Sequence, residues 1–206
     1  MHPPPRNARG PAREGSVVAR LQSDAVDAPK IGTLAMVPAT DRPDLLAQPV
    51  TLALAAHRVP DIYVAEIDPT LADTAQFCAA YDVPPELSAN CVVVAGRRGG
   101  EERVAACMVL ATTRADVNGV VRRRLDVRKA SFMTMEAAVE ATAMEYGGIT
   151  PIGLPTGWPI LVDAAVAHLP YAIIGSGVRR SKLALPGAAL AALTGATVVD
   201  GLARPA

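Results

Sequence analysis

Ten residues, Tyr146 to Pro155 (YGGITPIGLP), constrain the fold of this chain more than any other stretch. Gly147, Gly148, Pro151, Gly153 and Pro155 stand too close together for a helix interior or a central strand, so the segment must be a shaped loop. Gly147 and Gly148 can take positive φ or admit a close neighbour to the main chain, while Pro151 and Pro155 stiffen the second half of the loop. Exposed amides in such a loop form a nest for a carbonyl or an anion without any charged side chain. A plain structural turn between a helix and a strand is the competing reading of the same residues.

The elements around the loop set the fold class. Val50 to His57 reads as a short helix, Ile62 to Ile67 as a strand, and Thr70 to Tyr81 as a helix with Asp73 and Thr74 as capping candidates. Asn90 to Ala95 and Arg103 to Thr112 are apolar runs flanking the turn GRRGGEE, the pattern of a hairpin of core strands. Asp116 caps a helix carrying Arg122, Arg123 and Arg124; Lys129 to Met133 reads as a strand; Thr134 opens a helix that the glycine loop ends. Strands PILVD, YAIIGSG, one around Leu183 and ATVVD come next, with a helix starting near Pro186. That order predicts an α+β fold on a mixed, largely antiparallel sheet with surrounding helices.

Four stretches in order resemble the YbaK/aminoacyl-tRNA deacylase-associated (prolyl-tRNA editing-like) domain family: YDVPPELSANCVVVA (Tyr81 to Ala95), MEYGGITPIGLP (Met144 to Pro155), PILVDAAV (Pro159 to Val166) and Tyr171 to Leu202. The resemblance implies a curled, barrel-like sheet with a pocket at the strand ends. It also implies the hydrolysis of wrongly charged tRNA. Gly147 and Pro151 match the family's Gly-x-x-x-Pro loop, so Gly147, Gly148 and Thr150 are expected to position the aminoacyl ester. Asp163 matches a strand-end Asp that helps form the pocket floor; capping the turn at Ala164 to Ala167 is its bland alternative. Gly175 and Gly177 end a strand where a substrate can pass close to the backbone. Where the family places a functional lysine, the chain reads Asn90-Cys91-Val92-Val93, replacing an ammonium with a neutral amide on a shorter arm.

The expected activity is that of a cytoplasmic, trans-acting aminoacyl-tRNA hydrolase serving translation fidelity, with Asn90 in the lysine's place. The alternative is a catalytically silent module of the same fold that holds tRNA ends or aminoacyl ligands. The expected partner is the acceptor end of an aminoacyl-tRNA, and an aminoacyl-tRNA synthetase is a further candidate. No membrane, metal or cofactor is expected. Cys78, Cys91 and Cys107 show neither Cys-x-x-Cys spacing nor paired histidines, which argues against a metal site and suits a reducing compartment. Cys91 without a nearby histidine reads as packing rather than as a nucleophile.

Charge bears on the nucleic-acid expectation. The formal net charge is zero, which excludes a domain-wide basic footprint. The distribution is uneven: residues 1–89 hold 7 basic and 11 acidic groups, residues 90–206 hold 13 and 9. Arg179, Arg180 and Lys182 either meet phosphates or form a solvated surface, and the same pair of readings covers Arg122 to Arg124. The first 45 residues, rich in Pro, Arg, Gly and Asp, read as a mobile extension before a domain over 46–206; Met36 is a candidate natural start, and the opening MHPPPRNARGPAREG has no apolar run of a secretory leader.

Overall fold

The computed structural model describes residues 28–57 and 59–206. In chain order the elements are β1 (Val37–Pro38), α1 (Gln48–Ala56), β2 (Tyr63–Glu66), α2 (Thr74–Ala80), β3 (Ala89–Arg98), β4 (Glu101–Leu110) and β5 (Thr113–Ala115). Then come α3 (Arg122–Leu125), β6 (Ala130–Phe132), α4 (Met135–Thr142), β7 (Ile160–Asp163), α5 (Ala164–Ala167), β8 (Ala172–Gly175), β9 (Ser181–Leu185), α6 (Gly187–Ala191), β10 (Ala196–Val199) and β11 (Ala203–Pro205). A π-helical turn, Val117–Val121, leads into α3.

The strands form two main sheets, ordered β1-β2-β9-β8 and β10-β7-β4-β3-β6, with β11-β5 as a small third pair. The first sheet is antiparallel throughout. In the second, β7 runs parallel to both β4 and β10, while β3 is antiparallel to β4 and β6. The mixed, largely antiparallel α+β expectation therefore holds. The barrel does not: the two main sheets meet at a single parallel bridge, Ser88 with Ile173, and neither closes. Closure stops because β8 ends at Gly175. Just beyond it Ser176 and Gly177 spend their main-chain groups on Ala47, Glu145 and Gly148 instead of on another strand.

Alternation along the strands divides the core into three layers. Val64, Ile174 and Leu183 of the first sheet face Met108, Ile160 and Val162 of the second across the central layer, closed by Val50 of α1 and Leu190 of α6. The outer face of the first sheet, Tyr63, Ala65, Ile173 and Ala184, lies under Phe77 and Cys78 of α2. The outer face of the second, Val94, Ala105 and Cys107, lies under Val117, Val121 and Leu125. No helix among the described residues is long and apolar enough to cross a membrane.

Local signals form the hairpin and the helix starts. Gly99 and Gly100 both take positive φ, +62° and +89°, as a two-residue turn between right-twisted strands requires, so the ladder runs further than the apolar pattern, out to Arg98 and Glu101. Asp116 accepts hydrogen bonds from the amides of Gly119 and Val120, and Thr134 from that of Ala137. The end of α4 differs from expectation: Ala143, at φ +52°, turns the chain before the glycines are reached.

The extension expected over 1–45 falls outside the described residues as far as 27. From 28 onward the chain is packed: Ile31, Leu34 and Met36 are buried beneath α2, and Thr33 donates its amide and hydroxyl to the carbonyl of Tyr81. A chain beginning at Met36 loses two buried side chains and these bonds. It is expected to be less stable by about 3 kcal/mol or more, read as a lower midpoint in chemical denaturation; a midpoint equal to that of the longer chain would contradict this packing.

Candidate functional site

The bridge between Ser88 and Ile173 fixes what faces what where the sheets meet. Two residues further along each strand stand Asn90 on β3 and Gly175 on β8, and Gly175 is paired with Lys182 on β9. Asn90, Gly175 and Lys182 thus form one row on the outer faces, beside the start of α2. Two contacts bind the row to that helix start: the Thr74 hydroxyl donates to Asn90 Oδ1 at 3.0 Å, and Lys182 Nζ donates to the carbonyl of Ala72 at 3.0 Å. With its oxygen occupied, the Asn90 amide keeps both N–H donors without a partner among the described residues.

The glycine loop lies over the middle of this row. A Cβ on Gly175 would come 2.2 Å from the carbonyl oxygen of Gly148, and one on Gly148 would meet the backbone of Val178 at 2.7 Å, so neither position tolerates a side chain. The close approach expected for a substrate at Gly175 is made by the protein's own main chain. Gly177, at φ +87°, donates its amide to Gly148 O at 2.7 Å and accepts from the Glu145 amide at 2.8 Å. Arg179 adds a second clasp: its amide donates to Glu145 Oε2 at 2.6 Å, and its guanidinium reaches Tyr146 O at 3.2 Å and Asp73 Oδ1 at 3.5 Å. Asp73 stands at the expected N-cap of α2 but makes no side-chain cap bond there.

Held this way, the bend keeps donors in reserve. The Gly148 amide is bonded to Glu145 O, but the amides of Gly147, Ile149 and Thr150 have no acceptor among the described residues. Thr150 is fully buried, and its hydroxyl is the buried side-chain polar atom left without a hydrogen-bond partner among those residues. Such a group carries an uncompensated desolvation cost unless a ligand or water meets it.

Two of the expected site residues lie apart from the row, and so does Cys91. Asp163 is two strands away, reached from Asn90 through Val109, and both its oxygens are engaged: Oδ1 caps α5 at Ala165 N, 2.9 Å, and Oδ2 accepts from Ala203 N at 3.0 Å. Pro151 begins the second half of the loop, which with Trp158, His57, Leu193 and α6 lines an apolar groove of about 1290 Å³ on the other side of the loop. Cys91 faces the central core, and burial pushes its thiol above the ordinary range, against a thiolate role. No group of three or more His, Cys, Asp or Glu side chains among the described residues is placed to hold a metal.

Lys182 is the residue that sequence reasoning could not place. It is 7% exposed, with Nζ 5.2 Å from the centroid of the Phe77 ring. Burial first, and then the Arg179 charge, push its pKa down to about 8. In SKLAL the lysine alternates in phase with Ala184 as any outward strand residue would, so nothing local marks it as buried. Only the pairing of β9 with β8 brings it beside Asn90.

A family profile described as aminoacyl-tRNA editing domain matches residues 68–193, a span that holds Asn90, the loop and Lys182. No curated protein sequence matches the chain. Among solved structures, a protein described as a candidate trans-editing enzyme for prolyl tRNA synthetase is 24% identical, with TM-score 0.64 over 75% of this chain and 94% of that one. The hypothetical protein APE2540 is 20% identical, with TM-score 0.66 over 76% of this chain and 100% of the other. A structure from work on grafting linear epitopes onto scaffold proteins is 23% identical, with TM-score 0.64 over 75% and 95%. At these identities the likeness is one of fold.

A buried ammonium with a depressed pKa leaves a signature in stability. The folded state releases the Lys182 proton near pH 8, the unfolded chain near 10.5, so the unfolded state binds more protons between those values and the group's contribution to stability rises with pH across that window. Lys182→Met, which removes the charge and keeps the volume, is expected to be at least as stable as the parent at pH 7. Chemical denaturation at stepped pH should show the parent gaining on the variant by up to about 3 kcal/mol between pH 8 and 10.5; a constant difference would contradict the burial of this charge.

Proposed function

The chain belongs to the aminoacyl-tRNA editing domain family, and on that footing we propose that it is a trans-acting deacylase that hydrolyses the ester of a small mischarged aminoacyl-tRNA. The observation that carries the reading is the row under the loop: unpaired main-chain donors above, the free Asn90 amide on one side and the Lys182 ammonium on the other.

In this reading the amides of Gly147, Ile149 and Thr150 donate to the ester carbonyl oxygen from positions fixed before the reaction begins. The Asn90 N–H groups hold the attacking water or a ribose hydroxyl. Water oxygen bonds to the ester carbon, the carbonyl oxygen takes up negative charge, and the bond to the ribose oxygen breaks as that oxygen takes the proton. Lys182 supplies the positive field that the family's lysine would otherwise bring from the position of Asn90. Gly148, Gly175 and Gly177 keep the bend pressed onto the strand end, Pro151 fixes its exit, and Asp163 shapes the floor by holding the turn after β7. The Thr150 hydroxyl is a further donor for the bound ester.

A silent binding module is the second reading, and one feature favours it: the Lys182 ammonium already donates to Ala72 O and lies against Phe77. A panel of mischarged tRNAs separates the two. Deacylation above the spontaneous rate is expected for at least one small amino acid, with a rate that falls as pH rises through about 8 once spontaneous hydrolysis is subtracted, because the protonated lysine is then lost. On that substrate Lys182→Gln should lower kcat on the order of 10². No enzymic hydrolysis of any member would leave the binding module standing.

A further inference from the structure

Asp73 and Thr74 open α2, and neither side chain is spent on the helix. Asp73 stands at the N-cap position with no side-chain cap bond, and its carboxylate meets the Arg179 guanidinium instead, at 3.5 Å. Thr74 is the first helical residue, and its hydroxyl crosses to β3, where it donates to Asn90 Oδ1 at 3.0 Å in a half-buried contact. A helix start that lends both polar side chains to neighbouring elements gives up the stabilisation of a cap. Departures from local rules concentrate where a fold serves a ligand.

The contact decides which end of the Asn90 amide faces α2. An asparagine amide carries an acceptor oxygen and an NH2 group of nearly the same shape, and half a turn about its last bond exchanges them, so its partners choose. At the row the reserve consists largely of donors: the amides of Gly147, Ile149 and Thr150, the Thr150 hydroxyl, and the N–H groups of the Lys182 ammonium beyond the one on Ala72 O. Left to these alone, the Asn90 oxygen would turn toward them and compete with an ester carbonyl for the same hydrogens. Thr74 offers a donor from the helix side instead. Oδ1 and Nδ2 branch from one planar carbon, so an oxygen turned to α2 sends both N–H groups away from that helix.

We propose that Thr74 is a positioning residue: its hydroxyl locks the Asn90 amide in the flip that presents N–H groups, rather than oxygen, to the aminoacyl end of the substrate. The role rests on the deacylase reading for what lies at Asn90. In that reaction the N–H groups donate to the ribose oxygen, which gathers negative charge as its bond to the ester carbon breaks. An ammonium at this position would donate in every orientation and need no such partner; a neutral amide donates inward only while its oxygen is held elsewhere.

The test is a double-mutant cycle on Thr74 and Asn90, read as the calorimetric affinity of the full chain for 3′-alanylamido-3′-deoxyadenosine, whose amide link resists hydrolysis. Thr74→Val keeps the branched shape without the hydroxyl and should weaken binding about tenfold, whereas Thr74→Ser, which keeps the hydroxyl, should stay within about twofold of the parent. In an Asn90→Ala background Thr74→Val should change nothing further, because the amide that the hydroxyl orients is gone. A hydroxyl that only stabilised α2 would cost the same in both backgrounds. That result, an unchanged affinity in Thr74→Val, or no binding by the parent each overturns the positioning role. A cycle that holds in a parent which deacylates no mischarged tRNA keeps the role of Thr74 and removes the deacylase.

Discussion

The interaction on which this site depends is the pair of hydrogen bonds between Gly177 and the bend at Glu145 to Gly148. They hold the loop so close to the end of β8 that a single added methyl at Gly175 or Gly148 would strike main-chain atoms. A main chain pressed onto a strand cannot also satisfy its own amides in a helix or sheet, which leaves Gly147, Ile149 and Thr150 with donors in reserve. The same close approach ends β8, keeps the two sheets from closing into a barrel, and opens the seam in which Asn90 and Lys182 are held by the start of α2. Loop, seam and open sheet are three consequences of one packing event.

Charge is placed in this molecule against the preference of its surroundings. Lys182 keeps an ammonium under Phe77, where a methionine would fit at no desolvation cost, and the depressed pKa is the measure of that conflict. Conflicts of this kind concentrate where a protein acts on a ligand.

What could be read from the sequence was local. The Gly-Gly turn, the caps at Asp116 and Thr134, and the alternating runs of β3 and β4 act within a few residues and form the elements expected of them. Partnership was not local: nothing in PILVD says that it lies parallel to β4, and nothing in SKLAL says that its lysine ends beside Asn90. Residues 28–45 were obscured for a related reason. Ile31, Leu34, Met36 and Leu45 are buried from short irregular turns, and packing of that kind has no period for a pattern to reveal. Asp163 admitted two readings, and the structure supplies the backbone partners of a cap. Gly175 and Gly177 announced a close approach without saying to what.

At the centre of this picture is the proposal that the reserved amides of the bend are the ester's binding partners. An adenosine carrying an amide-linked amino acid at its 3′ position cannot be hydrolysed as the ester is, and it preserves the carbonyl. Its titration followed by backbone amide resonances tests that role most directly. The largest shifts and the strongest protection from exchange are expected at Gly147, Ile149 and Thr150, with a smaller response from the Asn90 side-chain amide. Shifts confined to the groove around Trp158 and Leu193, with the bend unmoved, would contradict it.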